Sequence, residues 1–193
     1  MESTKALMSS NPYAPPSAHV EDVDTTKLQD RQVAYFPVTP FKLVVLSTCT
    51  LGVYVIYWFY KNWVLIRAQE KSDIFPVMRA IFGVFFCYAC YRRMDERGVS
   101  NGLPSMPAGA LAIALIVTSL MARLPDPYWL VTLASALTMI PVQQHVNRLN
   151  AILAPGHDPN DRFTAWNWVG IILGGLFMLL VLVGLFLPEE YLE

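Results

Sequence analysis

Residues 163–188 read FTAWNWVGIILGGLFMLLVLVGLFLP, 26 residues without a charge between Arg162 and Glu189. A helix crossing about 30 Å of hydrocarbon needs roughly 17 to 25 mostly apolar residues, so residues 166–188 are long enough to span. Trp166 and Trp168 open the stretch as interfacial anchors and Pro188 closes it. Two further charge-free gaps precede it. Between Arg97 and Arg123 lie 25 residues, of which 106–124 are the apolar part, and between Asp126 and Arg148 lie 21, with Tyr128 and Trp129 at one end. The spans expected there are 106–124 and 128–146. Composition agrees: 54% of the 193 residues are hydrophobic and 15% charged, against roughly 25% charged in a soluble domain. The expected class is an all-α, polytopic helical membrane protein with three transmembrane helices plus one or two re-entrant or additional membrane helices. A net charge of −1 leaves no basic excess for nucleic acid, and three cysteines do not make a disulfide framework.

Two shorter gaps leave the topology open. Lys42 to Lys61 encloses 18 residues, with Thr50-Leu51-Gly52 near the middle; residues 41–60 therefore either span or turn back at the glycine. Arg79 to Arg92 encloses 12, and extension back to Ile74 brings Pro76 and Arg79 into the first turns; residues 74–91 are either re-entrant or a span whose arginine snorkels. Lys61, Arg67 and Lys71 precede that segment and Arg92, Arg93 and Arg97 follow it, so the positive-inside bias asks for both flanks on the cytoplasmic side. If residues 41–60 also bend back, 13 of the 14 basic residues are cytoplasmic, all but Arg123. In the competing scheme residues 41–60 cross and the mildly acidic N-terminal tail is translocated.

Residues 1–40 read as a disordered tail. They carry five of the fourteen prolines among Ser, Thr and Asp, too little apolar area to offset chain entropy. Without an apolar run before Phe41 a removable signal peptide is not expected. Residues 189–193 form a short acidic C-terminus.

Few residues suggest chemistry. Cys87-Tyr88-Ala89-Cys90 places two thiols on one helix face, but no second pair completes a metal site and the apolar setting suits buried structural cysteine. His19, His145 and His157 lack ligand spacing. Gly170, Gly174 and Gly175 form a small-residue helix face through which another helix packs closely, within the bundle or in a homodimer. Gln143, Gln144, His145, Asn147, Arg148 and Asn150 are the richest polar run near a span: a polar cavity, a headgroup grip, or a helix emerging into water after Pro141. Lys61, Arg67, Arg79, Arg92, Arg93 and Arg148 are candidate lipid-headgroup contacts. No acidic residue occurs in the three long spans, which argues against ion-coupled transport. No nucleophile–base motif, phosphate loop or dinucleotide fingerprint appears, so no catalytic, cofactor or metal residues are expected.

Asn11-Pro12-Tyr13-Ala14-Pro15-Pro16 is similar to a tail motif of small bacterial inner-membrane proteins. Thr50-Leu51-Gly52-Val53-Tyr54, followed by Tyr57-Trp58-Phe59-Tyr60-Lys61-Asn62-Trp63, resembles a threonine-x-glycine-x-tyrosine segment of bacterial membrane proteins of unknown function. The resemblance covers mainly the first third of the chain and implies a multi-pass location in the bacterial inner membrane with no established catalytic residue. The expected function is a non-enzymatic accessory subunit or scaffold whose partners are the lipid bilayer and other membrane-protein subunits or itself. The alternative is a lipid-handling or small-solute transport protein with a cytoplasmic-side pocket of Arg79, Arg92 and Arg148; an intramembrane enzyme is the least favoured reading.

Overall fold

The computed structural model describes residues 33–186, and these form helices and connecting loops without a strand. Most of the expected tail, residues 1–32, and the acidic C-terminus lie outside the described residues.

The first two helices make a hairpin. Helix α1 (Pro40–Cys49) starts where Pro40 occupies the first turn and the Thr39 hydroxyl accepts the amide of Lys42 at 3.4 Å. It ends where the Thr50 hydroxyl donates back to the Leu46 carbonyl at 2.6 Å, competing with the next turn. Leu51 (φ 51°) and Gly52 (φ 88°) then take left-handed conformations, which only glycine adopts without steric cost. Helix α2 (Val53–Glu70) runs back. Phe36, just before α1, meets the edge of Tyr57 at 5.7 Å between ring centroids, and the Lys61 ammonium lies 5.8 Å from the Phe36 ring. Both ends of residues 41–60 therefore sit together.

A second, tighter hairpin follows. Helix α3 (Pro76–Ile81) and helix α4 (Gly83–Ser100) meet at Phe82, whose φ −91°, ψ 35° is outside the helical region. A Cβ on Gly83 would stand 3.1 Å from the Phe59 ring, so glycine lets α4 begin flush against α2. The flanks are tied to α2 by Arg93 Nε to Glu70 Oε1 at 2.8 Å and Arg97 Nη1 to Gln69 Oε1 at 2.6 Å. On the descending side the Arg79 guanidinium stacks 4.5 Å from the Trp63 ring. The two ends of residues 74–91 thus lie beside the same stretch of α2.

The rest of the chain departs from the expected regular spans. Asp95 accepts Met106 N at 2.7 Å and Ser105 Oγ at 3.0 Å, fixing the turn into helix α5 (Ala108–Leu120). Expected as one helix over 106–124, this element tightens into a 3-10 turn at Met121–Arg123. Residues 128–146 are not one helix: they comprise 3-10 turns at Tyr128–Ala134, helix α6 (Ser135–Thr138) and the start of helix α7 (Ile140–Leu153). Two causes are local. The Thr138 hydroxyl bonds back to the Ser135 carbonyl at 2.7 Å, and Pro141 has no N–H and crowds the carbonyl of Leu137. Helix α8 (Ala165–Phe186) begins with a reciprocal cap, Thr164 N to Asn167 Oδ1 at 3.0 Å and Asn167 N to Thr164 Oγ1 at 3.4 Å. Among the described residues α8 is the one helix long and apolar enough to cross a membrane, over Ala165–Leu185.

The core lies where α2, α4 and α7 meet. Trp58, Phe59, Tyr91, Met94 and Leu149 are buried there, with Phe59 stacked on Tyr91 at 6.1 Å and Trp58 edge-on to it at 6.3 Å. Gly98 makes this packing possible, because a Cβ there would stand 2.0 Å from Nε2 of the buried His145. Gly98→Ala is expected to destabilise the fold by about 1–3 kcal/mol through overpacking, read as a lower melting temperature in detergent; an unchanged value would mean that α4 and α7 are further apart.

Candidate functional site

Composition places residues 33–39 in the disordered tail, and the structure moves the boundary. They form a non-helical strap that bends at Ala34 and Tyr35, with Ala34, Tyr35 and Val38 almost fully buried. Such a strap lacks a sheet partner, and buried backbone groups must be paired. Side-chain amides supply the pairs. Asn150 Oδ1 accepts Ala34 N at 2.9 Å and Tyr35 N at 3.2 Å, while its Nδ2 donates to Tyr35 O at 2.8 Å. Asn62 Oδ1 accepts Phe36 N at 3.0 Å, Gln143 Nε2 donates to Phe36 O at 3.2 Å, and Asn147 Nδ2 donates to Val38 O at 2.9 Å. Gln69 Nε2 donates to Ala34 O. The clamp is itself braced: Trp58 Nε1 donates to Gln143 Oε1 at 2.6 Å and Asn62 Nδ2 to Trp58 O at 2.9 Å. The Tyr35 hydroxyl donates to Arg93 O at 3.0 Å, and burial pushes its pKa far up, so it stays a neutral donor.

Beyond the strap lies a cavity of about 410 Å³ lined by Phe36, Lys42, Tyr54, Tyr57, Asn160, Thr164, Trp166 and Asn167. It collects the first turn of α1, the first turns of α2, the loop before α8 and the first turn of α8. Lys42 is the unusual member. The residue is 2% exposed, yet its ammonium donates to neutral acceptors, Asn160 Oδ1 at 2.8 Å and Arg162 O at 2.6 Å. Phe163 lies beside it, 5.7 Å from the ammonium to the ring centroid. Asn160 also donates to Pro37 O at 3.0 Å, so one amide links strap, lysine and loop. A second cavity of about 430 Å³ shares Asn160 and Thr164 and is lined by Asp158, Pro159, Asp161 and Arg162.

The residues singled out from sequence divide. Arg79 and Arg93 are brought together on the Trp63 ring, at 4.5 and 5.5 Å. Arg92 instead pairs with Glu96 at 2.6 Å in solvent, and Arg67 and Arg148 are exposed on α2 and α7. Arg79, Arg92 and Arg148 sit on three different helices and line none of the cavities described here. Lys61 lies over Phe36 at the strap. Gly170 and Gly174 face the end of α1: a Cβ on Gly174 would stand 1.9 Å from the Cys49 carbonyl oxygen and one on Gly170 3.6 Å from the Thr50 methyl, whereas Gly175 faces open space. Cys87 and Cys90 are buried thiols. Of the polar run on α7, Gln143, Asn147 and Asn150 hold the strap. Asn62, Lys42 and Asn160 were not singled out; the available signal was an asparagine amid the aromatic residues of α2 and a lysine heading an apolar stretch.

Compared with protein-family models, curated proteins and solved structures, the chain matches none.

Proposed function

We propose that the chain is a polytopic helical protein of the bacterial inner membrane that acts without catalysis, as an accessory subunit or scaffold. The observation that carries the reading is the surface of α8. Trp166, Ile172, Leu173, Leu176, Phe177 and Leu180 are all exposed on a helix apolar around its circumference, which water penalises and hydrocarbon accepts. In this reading α8 crosses the membrane. Residues 106–124 descend, residues 128–146 return as an irregular segment, and the two hairpins dip in and come back. Ala136 and Met139, at the end of the irregular segment, are buried against the other helices, while Tyr128–Ala134 before them holds no buried residue. Arg93, Arg97 and Lys61 gather at the strap end, as the positive-inside rule asks of a cytoplasmic face. The bacterial assignment rests on the resemblance of the tail motif and of the Thr50–Tyr54 segment.

Alkaline washing of membranes, followed by mild crosslinking of the detergent-solubilised chain, tests both halves. Retention in the membrane pellet and a crosslinked partner or second copy are expected. Release by the wash would contradict the membrane assignment, and a strictly monomeric chain without a crosslinked partner would contradict the scaffold role. The lipid-handling alternative gains from one observation, a buried lysine lining a cavity, though the cation is Lys42 and not the three arginines.

A further inference from the structure

Taking the membrane assignment as its basis, we propose that the paired cavities at Lys42 bind the headgroup of a zwitterionic aminophospholipid, its phosphate at Lys42 and its ammonium at Asp158 and Asp161. The first argument is the balance of donors and acceptors. Around the first cavity the side-chain oxygens other than the Tyr54 and Tyr57 hydroxyls, which can donate or accept, are engaged within the protein: Asn160 Oδ1 by Lys42, Asn167 Oδ1 by Thr164 N, and Thr164 Oγ1 by Asn167 N. The donors are not. Lys42 has three N–H groups and uses two, and Asn167 Nδ2 and the hydroxyls of Tyr54 and Tyr57 engage no acceptor among the described residues. A pocket that presents donors around a cation recognises an oxyanion.

The second argument is charge. No carboxylate of the described residues pairs with Lys42 at ion-pair distance, those of Asp158 and Asp161 included. Both line the adjoining cavity, where Arg162 is the cation present. The first lobe is positive and the second carries one more negative than positive charge, so a ligand bearing phosphate and ammonium complements both, while one bearing phosphate alone meets two carboxylates. The third argument is the wall. Phe36, Tyr54, Tyr57 and Trp166 are the aromatic residues expected at headgroup depth, and Trp166 stands at the start of the exposed apolar face of α8, along which acyl chains would lie.

The test purifies the full chain in mild detergent, adds vesicles of phosphatidylethanolamine or of phosphatidylglycerol, and measures retained lipid by mass spectrometry. Wild type is expected to retain the ethanolamine lipid preferentially, and Lys42→Gln to retain it about ten-fold less, the loss expected for one charge-assisted hydrogen bond. Because Lys42 is buried and its variant could misfold, the double variant Asp158→Asn with Asp161→Asn, at exposed positions, provides an independent reading: its preference is expected to swing to the glycerol lipid. Equal or stronger retention of phosphatidylglycerol by wild type, a preference unchanged in the double variant, or displacement of the lipid by millimolar inorganic phosphate would each overturn the proposal. A chain that stays in the washed membrane pellet yet shows no preference defeats this site alone; a chain soluble without detergent defeats the membrane assignment with it.

Discussion

Replacing Asn150 by leucine is expected to lower stability by roughly 3 kcal/mol or more, because three buried backbone groups, the N–H of Ala34, the N–H of Tyr35 and the C=O of Tyr35, lose their only described partner at once. Leucine is close to asparagine in size, so a cavity contributes little and the cost is that of unpaired polar groups. The Tyr35–Arg93 bond and the burial of Val38 depend on the same strap, so its release should propagate. In detergent the melting temperature should fall by about 6 °C or more, since each kcal/mol shifts a chain of this size by roughly 2–4 °C. The exposed neighbour Arg148→Gln serves as control and should stay within about 0.5 kcal/mol of wild type. The strap, residues 33–39, should also become sensitive to protease. A melting point within 2 °C of wild type for Asn150→Leu, by the same scale, would mean that the strap is not clamped.

The second large effect belongs to Gly174. Any side chain there collides with the Cys49 carbonyl, a backbone atom that cannot rotate away. Gly174→Leu must therefore displace α8 from the end of α1. A loss of about 3 kcal/mol or more is expected, at or above the upper range for overpacking. Gly175→Ala, one residue along and facing open space, should be neutral or stabilising by up to about 1 kcal/mol through helix propensity. The pair separates packing inside one chain from packing between copies: a homodimer face would make Gly175 as sensitive as Gly174 and would leave the monomer's thermal stability unaltered by either.

These two sites also mark how far the sequence carries. The charge-free stretch of α8 and the break at Thr50-Leu51-Gly52 were legible because length, hydropathy and glycine act locally. The Gly170–Gly174 spacing announced close helix approach, though not which helix approaches. The helix expected over 106–124 is present over Ala108–Arg123 with a 3-10 last turn, whereas 128–146 is broken, since counting uncharged residues is blind to hydroxyl back-bonding and to the backbone clash at Pro141. Residues 33–39 were misassigned for a related reason. Their composition predicts too little apolar burial for order, but their order comes from amides more than a hundred residues away on α7, a pairing no local window contains. Nothing local marks Lys42, since a lysine heading an apolar segment ordinarily snorkels to water, whereas the loop before α8 folds over this one.

The central claim is that both hairpins dip into the bilayer and return, so that every ordered polar cluster around the strap lies on one side. Single cysteines at Ser72, Ser100 and Asp126, labelled with a membrane-impermeant maleimide in sealed vesicles of known orientation and located by peptide mass spectrometry, test it directly. Ser72 and Ser100, which flank the second hairpin and its α2 partner, should react together from the cytoplasmic side, and Asp126, in the turn beyond α5, from the opposite side alone. Reaction of Ser72 and Ser100 from opposite faces would contradict the account, because residues 74–91 would then cross the bilayer and the Glu70–Arg93 pairing could not exist.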